Sequence, residues 1–530
     1  MLPRGARGVR LTGRGPRPAA ARQPARARRG RRHLRRLPLA RLLDAEGRGV
    51  DTHAAVPRRL RPASRGHARP RAGDRDRQPG GGGAARPRAE GRRRPAAVAP
   101  PATGLSGARH TGALLPARLH GRGLLPARLH GRGLLAVTAA AFAGRVAYVL
   151  TLAHHDPTGG DALYYHLQAN LLARGHGFIH PYVWELHHRA VASAVHPPLF
   201  PLVLAVASVF GGTSFLAHKL LACAIGAATV AVAGLLGREV AGPRAGVVAA
   251  VLAAVYPNLW AVDGILMPET LYALVIGLVL LAAYRFGRRP TLATAGAVGA
   301  AVGLAVLTRG EAIFLVVLLA LPLAALRGWR WLPAMVAATA LVLTPWTVRN
   351  LVRFDKPVLV SNNSGEVLAV ANCPGAYHGP LLGFWDLRCL ATAHPRGDES
   401  DRAAFWRGRG LTYARHHAGR LPVVIGARLG RMWELYRPLQ NTHLDSIEGR
   451  RLDVARAGLA SFYLLAAFAV GGVVVLRRRR VLLVPLLSMP ALAAATAVYA
   501  YGATRFRMPA EVTIVVLAAA AVDAVIERAR

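Results

Sequence analysis

The stretch LLAVTAAAFAGRVAYVLTLA, residues 134–153, holds a single charged residue, Arg145. A helix rises 1.5 Å per residue, so about 20 such residues cross the hydrocarbon core of a bilayer. Apolar runs of comparable length recur along the chain and predict an all-α polytopic membrane protein. The ten predicted spans are 134–153, 215–236, 243–258, 265–285, 291–308, 311–327, 331–347, 455–476, 481–500 and 509–527.

Positive charge sets the predicted orientation of these spans, because short cytoplasmic loops favour Arg and Lys. An eleventh apolar run, PPLFPLVLAVASVFGG at 197–212, is short and rich in proline, so we interpret it as re-entrant or interfacial. Counting it as a span would move the later basic loops outside. With ten spans, two large segments, 154–214 and 348–454, are expected on the outer side. The loops expected inside contain Arg238 with Arg244, RFGRR at 285–289, RGWR at 327–330 and RRRR at 477–480.

Residues 1–133 differ in composition from the rest of the chain. They contain 33 arginines and six acidic residues, and they account for most of the formal net charge of +43. A segment of Arg, Pro, Ala and Gly with few aromatic residues cannot bury enough apolar surface to offset its chain entropy, so a disordered arm is expected. It ends in a tandem repeat, LLPARLHGRG at 114–123 and again at 124–133. The alternative is an upstream region translated from a start codon placed too early. We therefore predict two parts, the arm 1–133 and a membrane domain 134–530.

Two carboxylates at the outer ends of predicted helices are candidates for catalysis. Asp161 begins the segment GGDALYYHLQANLLARGHGF, residues 159–178, and Glu269 begins a span within LMPETL. Asp161 is expected to act as a general base, or else only to cap its helix, whereas Glu269 is expected to face a polar cleft, or else only to stabilise a helix N-terminus. Asp263, six residues before Glu269 in the same predicted outer loop, is a weaker candidate. Glu311 is interpreted as a structural partner of Arg309, and Arg145 as the partner of a buried carboxylate.

Basic residues also recur outside, where the topology does not require them. The guanidinium group of arginine offers a planar set of donors that matches a phosphate. Contact with lipid headgroups explains one or two such residues, whereas a lipid-phosphate site explains why basic residues occur at several loop–helix junctions. The predicted phosphate ligands are Arg349, Lys356, Arg505 and Arg507.

Histidines and cysteines give weaker signals. The first outer segment holds eight histidines, but none of their spacings matches a known zinc motif, so no metal site is assigned and a divalent ion beside a phosphate is left open. No other cofactor is expected. Cys373 and Cys389 lie sixteen positions apart in the second outer segment, where an oxidising exterior permits a disulfide.

Seven motifs, in their order and on their predicted side of the membrane, resemble the bacterial family 39 glycosyltransferases, relatives of the dolichyl-phosphate-mannose protein mannosyltransferases and the aminoarabinose–lipid A transferase. The resemblance covers roughly 134–527. The motifs are GDALYYHLQANLLARGHGF, HPPLFPLVLA, LMPETLYAL, LAVLTRGE, TPWTVRNLVRF, NSGEVLAVANCPGA and TRFRMPAE.

The resemblance implies a GT-C-type bundle of about 10–11 transmembrane helices, with interfacial helices above an active site at the outer ends. It implies a polyprenyl-phosphate sugar donor and an acidic residue, at Asp161, that activates the acceptor. The family commonly has Asp-Glu there, and this chain has Asp161–Ala162. Glu269 matches a second acidic position, and Arg505 and Arg507 match a basic stretch before the last span. The residues expected to support the site are Tyr164, Tyr165, His196 and Asp263.

The expected function is transfer of a sugar to an acceptor hydroxyl at the outer face of the cell membrane, with inversion. A phosphate ester leaves as a stabilised anion, so one base suffices where a glycosidase needs two carboxylates. The expected partners are the lipid-linked donor, membrane lipids and a protein, cell-wall glycan or lipid acceptor. No nucleic acid is expected. A polytopic transporter or lipid flippase is the alternative, and it would place ionisable groups deep in several spans.

Overall fold

The computed structural model describes residues 127–157 and 159–530. Within these ranges the chain is almost entirely helical, and the only β pairing is an isolated bridge between Ile179 and Ala192. This confirms the prediction of an all-α polytopic membrane protein. The predicted disordered arm lies outside the described residues except for its last seven positions, 127–133, which belong to the first helix.

The described residues up to 308 form nine α-helices. In chain order they are α1 (Ala127–Thr151), α2 (Gly160–Ala173), α3 (Pro181–His187), α4 (Leu199–Val209), α5 (Phe215–Ala241), α6 (Pro243–Val255), α7 (Pro257–Ile265), α8 (Glu269–Arg288) and α9 (Leu292–Thr308).

The remaining residues form ten more. They are α10 (Leu321–Arg327), α11 (Leu332–Arg353), α12 (Ser364–Ala371), α13 (Pro374–Tyr377), α14 (Glu399–His416), α15 (Leu421–Met432), α16 (Pro438–Ile447), α17 (Leu452–Arg478), α18 (Val484–Tyr499) and α19 (Met508–Arg528). Short 3₁₀ or π turns lead into α10, α11 and α19, and the turn before α19 is Thr504–Arg507.

Seven continuous helical segments in the described residues are long and apolar enough to cross a membrane, and each coincides with a predicted span. Proline breaks an eighth span into α6 and α7, which meet at 46°. The predicted spans 291–308 and 481–500 correspond to α9 and α18, which are apolar but only 17 and 16 residues long. The seven are Gly131–Thr151, Phe215–Ala241, Glu269–Arg288, Gly310–Arg327, Trp329–Arg353, Leu452–Arg478 and Thr504–Arg528.

Close helix packing in this bundle depends on small residues, as is usual where lipid gives no hydrophobic drive for association. Gly299 of α9 lies against the backbone of Met335 in α11, and Gly472 of α17 lies against the backbone of Leu517 in α19. A side chain at either position would meet main-chain atoms. These contacts hold α9 on α11 and α17 on α19.

The bundle has two chemically different ends. At one end, ion pairs join the C-terminal parts of α5, α8, α17 and α19 to the start of α6: Glu239 with Arg288, and Asp523 with Arg244 and Arg479. Three of the four basic loops predicted to lie inside contribute to this end. The N-termini of α2, α8, α17 and α19 meet at the other end, where the candidate site lies.

Two buried ion pairs lie within the bundle. Arg145 of α1 contacts Asp263 of α7, with 2.9 Å between Nε and Oδ2, as expected of a buried carboxylate partner. Asp263 is fully buried in a helix and also accepts a hydrogen bond from Thr270, so it does not lie in an outer loop as predicted. Arg507 contacts Glu511 at 2.7 Å. Both pairs are internally neutral.

The second outer segment is a compact layer of short helices. Cys373 and Cys389 form the predicted disulfide, with Cα atoms 6.4 Å apart. Asp398 caps α14 by accepting from the backbone N–H of Asp401, and Gly410 of α14 lies against the backbone of α12. This layer covers the end of the bundle that carries the candidate site.

Candidate active site

Asp161 stands in the first turn of α2, directly after Gly160, whose φ of 70° lets the chain turn into the helix. Its carboxylate contacts two side chains from distant parts of the sequence. Oδ1 lies 3.5 Å from Nε2 of His196, and Oδ2 lies 3.4 Å from Nη2 of Arg505. The Asp161 side chain stays 34% exposed, so a substrate can still reach it.

Arg505 is the centre of the arrangement. It lies in the 3₁₀ turn before α19, and its three nitrogens face three different carboxylates. Nη2 faces Asp161 at 3.4 Å, Nε faces Glu269 at 3.5 Å and Nη1 faces Glu448 at 3.5 Å. These distances exceed those of tight charged hydrogen bonds. Arg505 therefore has donors that a better placed acceptor can take.

Arg309 forms a second basic group beside the first. Its guanidinium binds Glu269 through Nη1 and Glu311 through Nε, the latter at 2.5 Å. Phe506 lies under both arginines, with its ring centre 5.2 Å from the Arg309 guanidinium and 5.8 Å from that of Arg505. Glu269, whose side chain is 1% exposed, thus contacts both arginines and fixes their separation.

The neighbouring charges set the ionisation of Asp161. Burial alone would raise its pKa, but the charge and hydrogen bond of His196, together with those of Arg505, outweigh this and hold the pKa below its ordinary value. Asp161 is therefore ionised at neutral pH. It is also a weak base as long as Arg505 stays beside it.

A cavity of about 450 Å³ opens beside these groups. Arg309, Arg505 and His196 line one part of it, and Asp161 touches two of these residues. Another part is polar and is built from the loop before α12 and from α14. The polar residues that line this part of the cavity are Ser361, Asn362, Asn363, Ser364 and Arg407.

Two of the residues predicted to support the site, Tyr164 and Tyr165, pack against a third, His196. The ring of His196 packs 4.8 Å from Tyr165 and 4.9 Å from Tyr164. The hydroxyl of Tyr164 lies 2.8 Å from that of Ser193, and burial raises its pKa, so it stays protonated. These contacts orient the imidazole toward Asp161.

Arg349 does not join this cluster. Its Nη2 donates to the carbonyl of Phe178 at 2.6 Å, and its Nη1 donates to that of Ser193 at 3.0 Å. The guanidinium also packs against the ring of Trp346. Its donors hold the first outer segment in place, and this arrangement favours a structural role over the predicted phosphate contact.

Lys356 and Arg507 also lie apart from the site. The side chain of Lys356 is 53% exposed, and its Nζ contacts Asp401 at 3.0 Å. Asp401 approaches Asp355 and Asp398 closely enough for the three to hold a cation, the only such acidic or histidine group in the described residues. Arg507 is buried against Glu511. Of the four predicted phosphate ligands, the structure brings only Arg505 to Asp161.

Two residues of the candidate site, Glu448 and Arg309, are not among the site residues predicted from the sequence. Glu448 lies in a polar loop with no motif around it, and no signal in the sequence distinguishes it from its neighbours. Arg309 was visible as the Arg of LTRGE, but it was assigned to a structural pair with Glu311. Its place at an outer helix end, the same criterion that selected Glu269, could have identified it.

The family comparison covers part of this site. Residues 195–348 match the family model described as dolichyl-phosphate-mannose-protein mannosyltransferase. The resemblance to the GT-C glycosyltransferases is confirmed. The matched segment contains His196, Glu269 and Arg309, whereas Asp161 and Arg505 lie on either side of it. No curated protein matches the chain.

Solved structures with detectable similarity are distant. The apo oligosaccharyltransferase of Archaeoglobus fulgidus is 16% identical with a TM-score of 0.43, over 76% of this chain and 51% of that one. The chain thus spans about half the length of that archaeal protein. ArnT from Cupriavidus metallidurans bound to undecaprenyl phosphate is 18% identical with a TM-score of 0.36, over 75% of this chain and 78% of that one.

Proposed function

We propose that this protein is a membrane glycosyltransferase that moves a sugar from a polyprenyl-phosphate donor to an acceptor hydroxyl, with inversion at the sugar carbon. One observation carries the proposal: a partly exposed carboxylate, Asp161, contacts Arg505, which together with Arg309 lines a cavity at one end of the bundle. The family match over 195–348 supports the reaction class.

The donor phosphate binds between Arg505 and Arg309. Both guanidinium groups line the cavity and lie over Phe506. Arginine presents paired donors that fit phosphate oxygens, and such donors stabilise the charge that builds on the leaving phosphate. Glu269, which contacts both arginines, keeps them at the separation that this binding requires.

Asp161 acts as the base that takes the proton of the acceptor hydroxyl. Before donor binding its pKa is low because Arg505 and His196 face it. A phosphate that draws Arg505 away removes one of these cations, so the pKa of Asp161 rises when the donor is in place. The acceptor oxygen then displaces the phosphate in one step, and no acid is needed for the leaving group.

The acceptor enters through the polar part of the cavity near Arg407. A protein serine or threonine, a cell-wall glycan hydroxyl and a lipid hydroxyl all satisfy the chemistry. Mannose, arabinose and galactose donors are likewise compatible with it.

We further propose that the site faces outward from the cell membrane. The opposite end of the bundle carries Arg244, Arg288 and Arg479, and clustered positive charge favours the cytoplasmic side. The ionisable groups inside the bundle, Arg145 with Asp263 and Arg507 with Glu511, are mutually neutralised. A transport path would instead need groups that exchange partners with a substrate.

The test is transfer of radiolabelled sugar from a panel of polyprenyl-phosphate sugars in membranes that contain wild type or Asp161→Asn at matched expression. Loss of a general base is expected to slow transfer about 10²–10⁴-fold. Asp453→Asn is the matched control, because Asp453 is an exposed carboxylate paired with Arg451 outside the site. Equal transfer by wild type and Asp161→Asn would remove Asp161 as the base. No transfer from any donor would count against the glycosyltransferase proposal. The transporter or flippase alternative would then be tested by a lipid-flux assay.

A further inference from the structure

Glu448 is a third carboxylate on Arg505, and the proposed chemistry gives it no role. It follows α16 in the loop before α17, and its side chain is 17% exposed. Its Oε1 lies 3.5 Å from Nη1 of Arg505, on a different nitrogen from the one that faces Asp161. Glu448, Glu269 and Arg505 also line a void of about 10 Å³, roughly the space of one water.

The charges around Arg505 do not balance. Four carboxylates surround two guanidinium groups, since Asp161, Glu269 and Glu448 face Arg505, and Glu311 with Glu269 binds Arg309. A protonated His196 beside Asp161 still leaves one carboxylate in excess. Asp445 adds no excess, because it is paired with Arg450 at 3.1 Å.

A donor phosphate brings a further negative charge to this partly buried place. Uncompensated charge of this kind is costly to bury. Binding is therefore favoured if one carboxyl gives up its charge at the same time.

Glu448 is the carboxyl best placed to do so. Burial, together with the negative charges of Asp445, Glu269 and Asp161, raises its pKa to about 7 against the lowering effect of Arg505. These groups come from α16, α8, α2 and the turn before α19. The void that Glu448 lines is also lined by Arg450, which is paired with Asp445, and by the apolar Val262 and Ile265 of α7. Asp161, by contrast, has a lowered pKa. When Arg505 turns to a phosphate, Glu448 loses the one cation that lies within ion-pair distance of it among the described residues.

We propose that Glu448 takes up a proton when a lipid-linked phosphate binds Arg505, so that donor binding is coupled to protonation and weakens above neutral pH. The inference rests on the proposed function. One proton passes from water to the Glu448 carboxylate, and no bond of the donor changes in this step. Glu448 is a positioning residue, because it acts on the donor through Arg505.

The test measures binding of undecaprenyl methyl phosphate to the purified full chain between about pH 6 and pH 9 at constant ionic strength. This phosphodiester keeps one charge throughout, whereas a phosphate monoester itself titrates near pH 6. Uptake of one proton weakens wild-type binding by up to about tenfold per pH unit above neutrality. Glu448→Gln, which mimics the protonated side chain, is expected to bind with little pH dependence and at least about tenfold more tightly than wild type at about pH 9.

Two further variants serve as controls. Glu448→Asp keeps a titratable group and is expected to retain pH-dependent binding. Glu434→Gln is the matched control, because Glu434 is another buried carboxyl whose pKa burial raises to about 7, and it hydrogen-bonds Asn441 away from Arg505. It is expected to behave as wild type.

The outcomes separate the two proposals. If wild type and Glu448→Gln bind with the same pH dependence, the proton coupling is overturned while the lipid-phosphate site stands. If wild type does not bind the probe at any pH, the proposed donor site fails, and the coupling fails with it. A dye-monitored proton uptake on binding that rises from about half a proton near pH 7 toward one proton at about pH 8, and that is abolished in Glu448→Gln, would support the coupling directly.

Discussion

Asp161 and Arg505 lie 344 positions apart in the chain, yet Oδ2 of the carboxylate is 3.4 Å from Nη2 of the guanidinium. The contact joins the start of α2 to the turn before α19. Because the proposed base and the proposed phosphate ligand touch, Arg505 lowers the pKa of Asp161, and Asp161 competes with a phosphate for a donor of Arg505. A change at either residue is therefore expected to alter both donor binding and catalysis.

Arg505→Gln is expected to raise the KM for the lipid donor about 10–100-fold, because it removes charged hydrogen bonds to the phosphate worth about 1.5–3 kcal/mol. Arg505→Lys restores a point charge without the planar arrangement of donors, so it should recover only part of the affinity. Steady-state kinetics with varied donor measure this. An unchanged KM in Arg505→Gln would place the phosphate elsewhere.

Arg507→Gln, two residues away, should behave differently. Arg507 is buried, contacts Glu511 at 2.7 Å and donates to the carbonyl of Met432. Removing one partner of a buried pair costs about 3–5 kcal/mol of stability. The unfolding temperature in detergent is expected to drop sharply, whereas the KM for the donor, measured on the protein that remains folded, is expected to stay unchanged. A raised KM at unchanged stability would instead support the sequence-based assignment of Arg507 to the phosphate.

The membrane helices could be predicted from sequence because spanning a bilayer is a local property of about 20 apolar residues. The same holds in part for the site: Asp161, Glu269 and Arg505 stand at helix ends on the predicted outer side, and the structure brings them together. Arg349 and Lys356 met the same criterion and do not join them. Charge at a loop–helix junction does not reveal which carbonyl or carboxylate lies opposite.

The residues that sequence reasoning missed depend on long-range contacts. Glu448 acquires a role only because Arg505, 57 positions later, folds against it. Arg309 looked like half of a local pair with Glu311, and its second contact, to Glu269, lies 40 positions back. No local pattern encodes either contact.

Arg349→Lys provides a test of the structural role assigned to Arg349. A lysine cannot donate to the carbonyls of Phe178 and Ser193 in the same geometry, so the segment between them should open more often. Arg189 is exposed within that segment, and limited trypsin digestion should cleave there faster. The donor KM is expected to stay unchanged. Lys356→Gln is the exposed control and should alter neither measurement; a raised KM in Arg349→Lys would support the phosphate contact.

A closed ring of hydrogen bonds ties α2 to its neighbours. The hydroxyl of Ser208 donates to the side-chain oxygen of Asn170, so it accepts a hydrogen bond from Nε2–H of His218. With its proton on Nε2, His218 accepts at Nδ1 from Nδ1–H of His166, 3.1 Å away. Asn170 completes the ring by donating to Nε2 of His166. Every member is satisfied only if both imidazoles are neutral.

This ring predicts a loss of stability in acid. Burial lowers the pKa of His166 to about 4, below the value of about 6.5 expected in an unfolded chain. A depressed histidine pKa contributes stability above pH 6.5, and this contribution is lost as the pH falls from about 6.5 toward about 4. His166→Leu should flatten the dependence of the unfolding temperature on pH in this window, whereas His187→Gln, at an exposed position, should not. An identical slope in wild type and His166→Leu would show that the ring does not couple to protons.

Gly226→Ala is expected to disturb the buried pair between α1 and α7. Gly226 lies on α5, and an added Cβ would stand 2.8 Å from Nε of Arg145 and closer still to the carboxylate of Asp263. The two charges would have to separate without other partners to receive them, at a cost on the order of 3 kcal/mol. The unfolding temperature in detergent should fall. Gly296→Ala on α9 is the matched control, because nothing lies within 4 Å of its Cβ and alanine favours a helix over glycine by about 1 kcal/mol. If Gly226→Ala unfolds at the temperature of wild type, the Arg145–Asp263 pair has room to rearrange. A transporter requires buried charged groups that can change partners, so this outcome would support the transporter alternative.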